Sequence, residues 1–486
     1  FLSSSRRRPG PSFLSDGALE GHWVPAFAGM TMVFIKWVQA PRLGQELACP
    51  PEALQLRLSF SPRTQHLART NGHVNGLTMW LLDRLLRRAI IDGELILTDA
   101  SGKVHRYGTP SPQFPTVKGR LTDNSVAWAI GRNPALGAGE AWMDGKLILE
   151  QGDILDLLKL VTYNTRWDKD NPTRVALWRQ QAIGAKLDQI NFARRSKRNV
   201  AHHYDLSDRL YDLFLDADRQ YSCAYFTDPA NTLEQAQADK KAHIAAKLDL
   251  KPGQKVLDIG CGWGGMALYI HRVSGAEVLG VTLSEEQLKV ARRRAEEAGV
   301  ADKVKFELID YRALTGQFDR IVSVGMFEHV GLPHYRQFFD KVHELLTPDG
   351  VALIHTIARA DGPGATDPWT AKYIFPGGYS PALSQIVPAV ERAWLWITDI
   401  EVLRLHYAFT LEEWYKRTVA AKDAIVALYD ERFYRMWLFY LGGAICAFRN
   451  DGHMNVQIQL TRRRDALPIT RDYMAATELK YREMTK

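Results

Sequence analysis

Hydrophobic and polar positions in the second half of the chain fall into strand-length apolar runs separated by helical segments. The apolar runs lie at 255–259, 276–281, 303–309, 318–324 and 350–357. One helical segment, 284–298, opens with the capping-box residues Ser284 and Gln287 and ends before Gly299. Strands that alternate with helices predict an α/β fold with a doubly wound, mostly parallel sheet, which binds its ligand at the carboxyl ends of the strands.

A different pattern precedes this region. Segment 79–91 has leucines on one helical face and charged residues on the other, which indicates an amphipathic, basic helix. Two interpretations stay open for this helix: packing on its own domain, or contact with a membrane surface. Strand-like pieces follow at 94–98, 103–107, 117–121 and 126–130, and then a helical segment at 153–162. Together they predict a small α+β domain at 79–165.

The remaining boundaries follow from composition. Residues 1–78 show little periodicity, and we expect either an extension upstream of a true start near Met79 or a disordered arm. A linker and basic helix are expected at 166–200, a second domain that contains the strand–helix pattern at 201–475, and a C-terminal tail at 476–486. The longest apolar stretch, 436–448, is too short to span a bilayer and is expected to be a core helix end or a turn.

Charge and cysteine content narrow the class of protein. The 486 residues carry a net charge of +7, which suggests an acidic partner, either phospholipid head groups or nucleic acid. The basic cluster Arg194–Arg198 has no aromatic ladder beside it, which argues against nucleic acid. The four cysteines are widely spaced and predict neither a metal site nor a disulfide framework. A reduced, cytoplasmic setting fits this composition.

The most informative segment is the glycine-rich turn at 256–265. Gly260, Gly262 and Gly265 satisfy the dinucleotide pattern G-x-G-x-x-G, but the NAD version also requires an acidic residue at the end of the next strand. Here that strand runs into Thr282, and the acidic residue Asp258 precedes the glycines instead. This arrangement resembles the S-adenosylmethionine (SAM) site of Rossmann-like methyltransferases. NAD binding, or a turn without a ligand, are the alternatives.

That resemblance extends to the ends of three successive strands and to one upstream segment. In such methyltransferases, residues at the end of the third strand contact the adenine of SAM. The implied cofactor contacts are Tyr221, Ser222, Asp258, Gly260, Cys261, Gly262, Trp263, Gly264, Thr282, Leu283, Ser284, Gln287, Asp310 and Tyr311.

Several longer motifs occur in one order along the chain. They are 199–205 (NVAHHYD), 221–226 (YSCAYF), 258–265 (DIGCGWGG), 325–331 (GMFEHVG) and 355–357 (HTI). Over roughly 80–475 the sequence resembles cyclopropane-fatty-acyl-phospholipid synthases and mycolic acid cyclopropane synthases. The resemblance implies transfer of a methyl(ene) group from SAM to the cis double bond of phospholipid acyl chains, through a carbocation that bound bicarbonate deprotonates. It also implies a homodimer, peripherally bound to the inner face of the membrane.

The same resemblance assigns the bicarbonate cradle to Cys223, Glu328, His355, the backbone at Ile357, and Tyr407. Taken singly, Cys223 could be a small buried hydrophobe, Glu328 a helix-start carboxylate, and His355 a core histidine. His329 is a candidate for orienting these groups. Aromatic walls would tolerate a cation, although for any one of these residues core packing is the better explanation. The aromatic candidates are Tyr225, Phe226, Trp263, Tyr335, Phe375 and Tyr407.

One position departs from the family pattern. Members often carry a cysteine four residues after the tyrosine of a C-terminal Tyr-Leu pair, whereas here Tyr440 leads to Ala444, with Cys446 two residues later. We therefore assign no catalytic role to Cys446. Three alternatives remain: a methyl-branching enzyme on the same lipids, a small-molecule N-methyltransferase, and a lipid-binding protein that does not catalyse a reaction.

Overall fold

The computed structural model describes residues 71–168 and 207–484, with side chains from residue 79 onward. These residues belong to one compact unit. Several sequence predictions lie outside the described ranges: those for residues 1–70, for most of the linker and basic helix at 166–200, and for the 199–205 motif.

The first part of this unit is a four-stranded sheet with helices, as the small α+β domain requires. Its elements are α1 (Asn71–Ala89), β1 (Gly93–Thr98), β2 (Val104–Thr109), β3 (Val117–Leu121), α2 (Asn124–Arg132), α3 (Pro134–Met143), β4 (Leu147–Gln151) and α4 (Ile154–Asn164). The strands are arranged in the order β2-β1-β3-β4. The predicted strands at 94–98, 103–107 and 117–121 and the helix at 153–162 are confirmed.

The predicted strand at 126–130 is wrong, because this segment is helix α2. The Asp123 carboxylate caps it by accepting the backbone N–H groups of Ser125 and Val126. The side chains that α2 buries are Val126, Ala127 and Ile130, a spacing that suits a helical face better than alternating strand positions. The fourth strand of the sheet is instead β4, which follows the glycine turn at Gly145.

Helix α1 turns its apolar face into the small domain. Leu82, Leu86 and Ala89 are buried in the core of this domain, whereas Trp80 is 54% exposed. The structure therefore supports the interpretation of α1 as a helix packed on its own domain, because the leucine face is not available to a membrane.

The second part is a seven-stranded sheet flanked by helices. Its strands are β5 (Lys255–Ile259), β6 (Glu277–Thr282), β7 (Val304–Leu308), β8 (Phe318–Val324), β9 (Leu346–Arg359), β10 (Trp396–Val402) and β11 (His453–Thr461). Its helices are α5 (Asp208–Asp212), α6 (Leu233–Lys247), α7 (Gly265–Ser274), α8 (Glu285–Glu297), α9 (Tyr335–Leu345), α10 (Pro368–Tyr373), α11 (Leu383–Arg392), α12 (His406–Ala420), α13 (Lys422–Leu428), α14 (Glu431–Arg449) and α15 (Asp472–Glu483). The five strands predicted from the apolar runs are all present.

The strand order of this sheet, β10-β11-β9-β8-β5-β6-β7, places β5 between β6 and β8. Strands β5 to β9 are parallel, whereas β11 runs antiparallel to both β9 and β10. The predicted doubly wound, mostly parallel sheet is therefore confirmed. In such sheets the crevice opens where the strand order reverses, at the carboxyl end of β5.

Helix α14 joins the two parts of the unit. It contains the whole 436–448 stretch in its interior, so the expected helix end or turn is wrong. The indole of Trp142 on α3 donates to the Arg435 carbonyl on α14 (3.0 Å), and Asn450, which caps α14, donates to the Thr162 hydroxyl on α4 (2.8 Å). Within the described ranges, no helix combines the length and the apolar character needed to cross a membrane.

The C-terminal residues also differ from expectation. Much of the segment expected as a tail, 476–486, lies in α15, which packs on α6 and buries Met474 and Tyr481. An ion pair between Glu478 on α15 and His243 on α6 (2.8 Å) helps to hold the two helices together.

Candidate active site

The glycine turn forms the floor of a cavity at the carboxyl end of β5. The backbone N–H groups of Gly260 and Cys261 both donate to the Val281 carbonyl, which ties the turn to β6. Gly262 has a φ of +55° and borders open space, so its backbone lies directly against the cavity. Because α7 begins at Gly265, a helix N-terminus also faces the cavity.

Most of the predicted cofactor contacts line this cavity. They are Tyr221, Ser222, Asp258, Gly260, Cys261, Gly262, Trp263, Thr282, Leu283, Gln287, Asp310 and Tyr311. Below, we call this space the cofactor cavity.

Two predicted contacts, Gly264 and Ser284, are not among the residues that line it. Gly264 has a φ of +84°, and a Cβ on it would lie 2.7 Å from the Phe306 ring, so this glycine allows α7 to pack against the sheet. The Ser284 hydroxyl accepts the Gln287 backbone N–H (3.3 Å) and caps α8. Both residues shape the turn and the helix beside the cavity without bordering it.

Asp258 is the buried acidic group of the cofactor cavity. Its side chain is 1% exposed, and its Oδ2 atom has no hydrogen-bond partner within 71–168 and 207–484. Burial raises the pKa of Asp258 to about 7, although the positive charge of Lys240 opposes this shift. A buried carboxylate with an unused oxygen fits a cationic group such as the ammonium of SAM.

Lys240 on α6 is a functional candidate that the sequence did not reveal. Its ammonium is buried and donates to the Gln220 side-chain oxygen (2.6 Å) and to the Ser222 hydroxyl (2.8 Å). Burial lowers the pKa of Lys240 to about 8, and the charge of Asp216 opposes this shift. Lys240 thus supplies positive charge beside the cofactor cavity, through two residues that line it.

Asp310 lies at the end of β7, where the resemblance places adenine recognition. Its carboxylate already accepts two hydrogen bonds from the Arg312 guanidinium, of 2.9 and 2.5 Å. Burial would raise the pKa of Asp310, but the Arg312 hydrogen bonds lower it, so the group stays ionised. The neighbouring Tyr311 ring packs edge-on against Phe338 and presents an apolar surface to the cavity.

A second, larger cavity of about 590 Å³ adjoins the first. The two share four lining residues, Tyr221, Ser222, Gly325 and His329. All five predicted cradle residues line the larger cavity: Cys223, Glu328, His355, Ile357 and Tyr407. The fold therefore brings five residues that are far apart in sequence to one space beside the cofactor cavity.

Glu328 occupies the one-turn helix Phe327–His329 that follows β8. Its Oε1 atom accepts the Ile357 backbone N–H (2.6 Å), so this N–H serves Glu328 rather than an incoming anion. Its Oε2 atom is buried and, among the described residues, has no hydrogen-bond partner. Burial raises the pKa of Glu328, and the Ile357 hydrogen bond opposes that shift.

Two neighbouring groups remain uncharged near neutral pH. Burial raises the pKa of the Cys223 thiol far above its usual range, so the group stays protonated, and its Sγ donates to the Ala224 carbonyl (3.3 Å). Burial also lowers the pKa of His329 to about 4. Both side chains therefore carry protons that can be donated in hydrogen bonds, without adding charge to the larger cavity.

Of the six aromatic residues predicted as walls, three line one of the two cavities and three line neither. Phe375 and Tyr407 line the larger cavity and Trp263 lines the cofactor cavity. The other three, Tyr225, Phe226 and Tyr335, border neither cavity. Tyr225, for example, stacks on His243 with ring centroids 4.0 Å apart. Other aromatic residues that line the larger cavity are Tyr221, Trp369, Tyr379, Phe439, Tyr440 and Phe448.

The small domain supplies much of the apolar wall of the larger cavity. The lining residues from this domain include Leu82, Leu85, Leu86, Leu95, Leu97, Leu121, Ile130, Ala138, Leu147, Leu149, Leu157, Leu158 and Val161. Ala444, which stands where family members often carry a cysteine, lines the larger cavity. Cys446 is buried and does not line it.

Comparison with known proteins places this architecture in a class. Residues 192–458 match the family described as mycolic acid cyclopropane synthetase. The chain is 42% identical, over 65% of its length and 80% of the relative's, to the cyclopropane-fatty-acyl-phospholipid synthase of Escherichia coli K12. It is 39% identical, over 70% of its length and 84% of the relative's, to a probable fatty acid methyltransferase of Pseudomonas putida.

A solved structure agrees with the fold. The chain is similar to the mycolic acid cyclopropane synthase CmaA1 in complex with SAH and CTAB, with a TM-score of 0.53 and 32% identity over 56% of this chain and 99% of that one. The fold and the cofactor cavity thus define a SAM-dependent methyltransferase. Within that class, the chain belongs to the mycolic acid cyclopropane synthetase family.

Proposed function

We propose that this enzyme converts the cis double bond of unsaturated phospholipid acyl chains into a cyclopropane ring. The observation that supports the proposal is the junction of the two cavities, because the five cradle residues line a largely apolar space that shares four lining residues with the cofactor cavity. Cavities of about 300–1,000 Å³ are typical of small-molecule sites, and the larger cavity falls within that range.

The residues of the larger cavity suit a reaction that creates positive charge on an acyl chain. SAM supplies an electrophilic methyl group, and bicarbonate supplies a base. The aromatic faces of Tyr407, Tyr440 and Phe375 border the space where the cation forms and stabilise it through their quadrupoles. The leucines of the small domain exclude water, which would otherwise trap the cation as an alcohol.

The cradle residues fit bicarbonate by their hydrogen-bonding capacity. The unused Oε2 atom of Glu328 can accept a hydrogen bond from the bicarbonate hydroxyl, which would fix the orientation of the anion. The Tyr407 hydroxyl can donate to its oxygens, and so can the neutral Cys223 thiol if it turns away from the Ala224 carbonyl. Lys240 contributes positive charge close enough to influence the pKa values of Cys223 and His355. In this arrangement Ile357 acts through Glu328, because its N–H holds Oε1.

A lipid substrate also accounts for the wider features of the chain. The small-domain leucines form a wall that suits the distal part of an acyl chain. The net charge of +7 favours an anionic bilayer surface, and we infer that the enzyme works peripherally at the inner face of the membrane, as a homodimer. Salt should weaken this surface binding, because it screens exposed charges.

A second product is compatible with the same site. The relative from Pseudomonas putida is named a probable fatty acid methyltransferase, and a relative from Mycobacterium tuberculosis, 35% identical, is named a tuberculostearic acid methyltransferase. Methyl branching would use the same two cavities and the same cation. Loss of a proton from the new methyl group closes the ring, whereas loss of a proton from the chain leaves a methyl-branched alkene, and a saturated methyl branch would require a reductant in addition.

Product analysis tests the proposal. We expect the purified enzyme, incubated with SAM and vesicles of cis-unsaturated phospholipid, to yield fatty acids that are one CH₂ unit heavier and have cyclopropane proton resonances. Heavier acids with olefinic or branched-methyl resonances would favour the second candidate. Absence of any methylated lipid, with SAM turnover on a small amine instead, would contradict both.

A further inference from the structure

The imidazole of His355 is held at both of its nitrogens by side chains of β11. Nδ1 lies 3.1 Å from the side-chain nitrogen of Gln457, and Nε2 lies 3.1 Å from that of Asn455. Burial, reinforced by the positive charges of Lys240 and Lys247, lowers the pKa of His355 to about 3. The ring is therefore neutral and carries one proton, which must reside on one of the two nitrogens.

The partner of Gln457 determines which nitrogen carries that proton. The side-chain oxygen of Gln457 accepts a hydrogen bond from the Lys247 ammonium (2.8 Å). An ammonium can only donate, so the Gln457 oxygen must face Lys247 and its amide N–H must face His355. Nδ1 of His355 is then an acceptor, and the single proton belongs to Nε2.

The two ring nitrogens face different surroundings. Asn455 lines the larger cavity and Gln457 does not, so Nε2 lies on the cavity side of the ring. The Asn455 Oδ1 atom has no hydrogen-bond partner in the part of the chain that the structure describes. A half-turn of this amide would place Oδ1 opposite Nε2–H as its acceptor, since amide oxygen and nitrogen are distinguished only by their hydrogen-bond network.

Lys247 is itself held by a network of buried and partly buried charges. It forms an ion pair with Glu401, and Glu401 also pairs with His243 (2.7 Å). Although burial favours its protonated form, the hydrogen bond from His243 and the charge of Lys247 lower the pKa of Glu401 to about 2. His243 in turn contacts Glu478 on the C-terminal helix (2.8 Å). This chain of contacts fixes the position of the Lys247 ammonium.

We propose that Gln457 and Lys247 are positioning residues that hold His355 in the tautomer with its proton on Nε2, so that an N–H donor faces the larger cavity. This inference rests on the proposed function, because an anion that enters the cradle could accept the Nε2–H hydrogen bond in place of the Asn455 oxygen. Partners behind a site histidine generally fix its tautomer and orientation, and their loss costs about 10- to 100-fold in affinity or activity where they have been measured in metal sites.

The test reads the tautomer directly in the ligand-free, full-length protein. The chain has 14 histidines, so ¹⁵N-histidine labelling with a His355→Gln reference spectrum assigns the His355 signals. We expect a pyridine-like Nδ1 and a pyrrole-like Nε2. In Gln457→Glu the new carboxylate accepts from Nδ1–H, so the two signals should exchange, kcat should fall by about 10- to 100-fold and the SAM Kd should change by less than about twofold.

Two further variants keep the test decisive. Gln459→Met removes a glutamine on the same face of β11, which bonds the Lys247 carbonyl and Tyr473, and should leave the His355 signals unchanged. If Gln457→Glu does not fold, Lys247→Met should give mixed tautomer signals. A wild-type ring protonated on Nδ1, or variants at 457 and 247 without effect on the signals, would overturn the inference. Neither result would alter the identity of the wild-type product, which tests the proposed function separately.

Discussion

The two cavities of this enzyme are built in different ways. The cofactor cavity is formed largely by the ends of neighbouring strands and by the glycine turn, and polar side chains make up a large share of its lining. The larger cavity takes its walls from both parts of the chain, and apolar side chains of the small domain provide a large share of them. Under the proposed function the difference separates the tasks: one region would bind a charged cofactor through polar groups, and the other would hold an acyl chain against a largely apolar wall.

The largest expected effect comes from removing the acceptor in the larger cavity. Glu328→Gln keeps the size of the side chain but replaces an oxygen by an amide that can donate, so product formation should fall by about 10²- to 10⁴-fold, as for loss of a general acid–base group. The SAM Kd, measured by calorimetry, should stay within about twofold. A matched change at the exposed ion pair with Lys341, Glu344→Gln, should affect neither quantity. Loss of SAM binding in Glu328→Gln would contradict the separation of tasks.

A substitution in the cofactor cavity should have the opposite result and weaken SAM binding. Asp258→Asn removes the buried carboxylate that we expect to bind the SAM ammonium, and a charged hydrogen bond of this kind contributes about 1.5–3 kcal/mol. We therefore expect SAM binding to weaken by about 10-fold or more in calorimetric titrations, while the exposed control Asp302→Asn retains wild-type affinity.

The titration of Asp258 also predicts how the affinity for SAM depends on pH. Because burial raises its pKa to about 7, the free enzyme holds a proton there at lower pH, and SAM must displace that proton. Affinity for SAM should rise by about tenfold between pH 6 and pH 8, and this dependence should disappear in Asp258→Asn. A wild-type affinity that is flat over this range would show that Asp258 does not contact the cation.

A smaller effect is expected where the small domain lines the larger cavity. Ala138→Phe would narrow the space between α3 and the leucines, so the ratio of kcat/KM for long against short acyl chains should fall by about tenfold. Phenylalanine at the exposed turn residue Ala100 should leave this ratio unchanged. Competition between vesicles of different chain length provides the measurement, and an unchanged ratio for Ala138→Phe would place the acyl chain elsewhere.

The smallest effect concerns stability. Gly264 and Gly275 both have a positive φ, but only Gly264 has a neighbour, Phe306, where a Cβ would stand. Gly264→Ala should therefore lower the free energy of unfolding by about 1–3 kcal/mol more than Gly275→Ala does, as judged by urea denaturation. Equal losses would mean that backbone strain alone decides the choice of glycine at the turn.

The same contrast explains what could be predicted from the sequence. The parallel sheet and most of the cofactor contacts depend on local signals: apolar runs, a glycine turn and the residues that directly follow each strand. Residues 126–130 misled the prediction because a short apolar run is compatible with a strand as well as with a helix, and the helical spacing of its buried residues and the cap at Asp123 were overlooked.

Most of the larger cavity could not be predicted from such local sequence signals. Its five cradle residues came from a family resemblance, and the fold alone shows that they meet. Lys240, in an alanine-rich helix, and the β11 residues Asn455 and Gln457 become functional candidates only when α6 and β11 pack around His355. No short-range sequence pattern predicts these contacts. The leucines of the small domain likewise line the larger cavity only because of tertiary packing.

The central claim, that the junction of the two cavities is the place where a transferred methyl group loses a proton and closes a ring, has a direct test. SAM that carries a trideuterated methyl group should be incubated with vesicles of cis-unsaturated phospholipid and the wild-type enzyme, with product mass and NMR spectra as the readout. The account predicts a cyclopropane fatty acid that retains two of the three deuterons, and about 10²- to 10⁴-fold less of it with Glu328→Gln. A methyl-branched, still unsaturated acid that retains all three deuterons would contradict it.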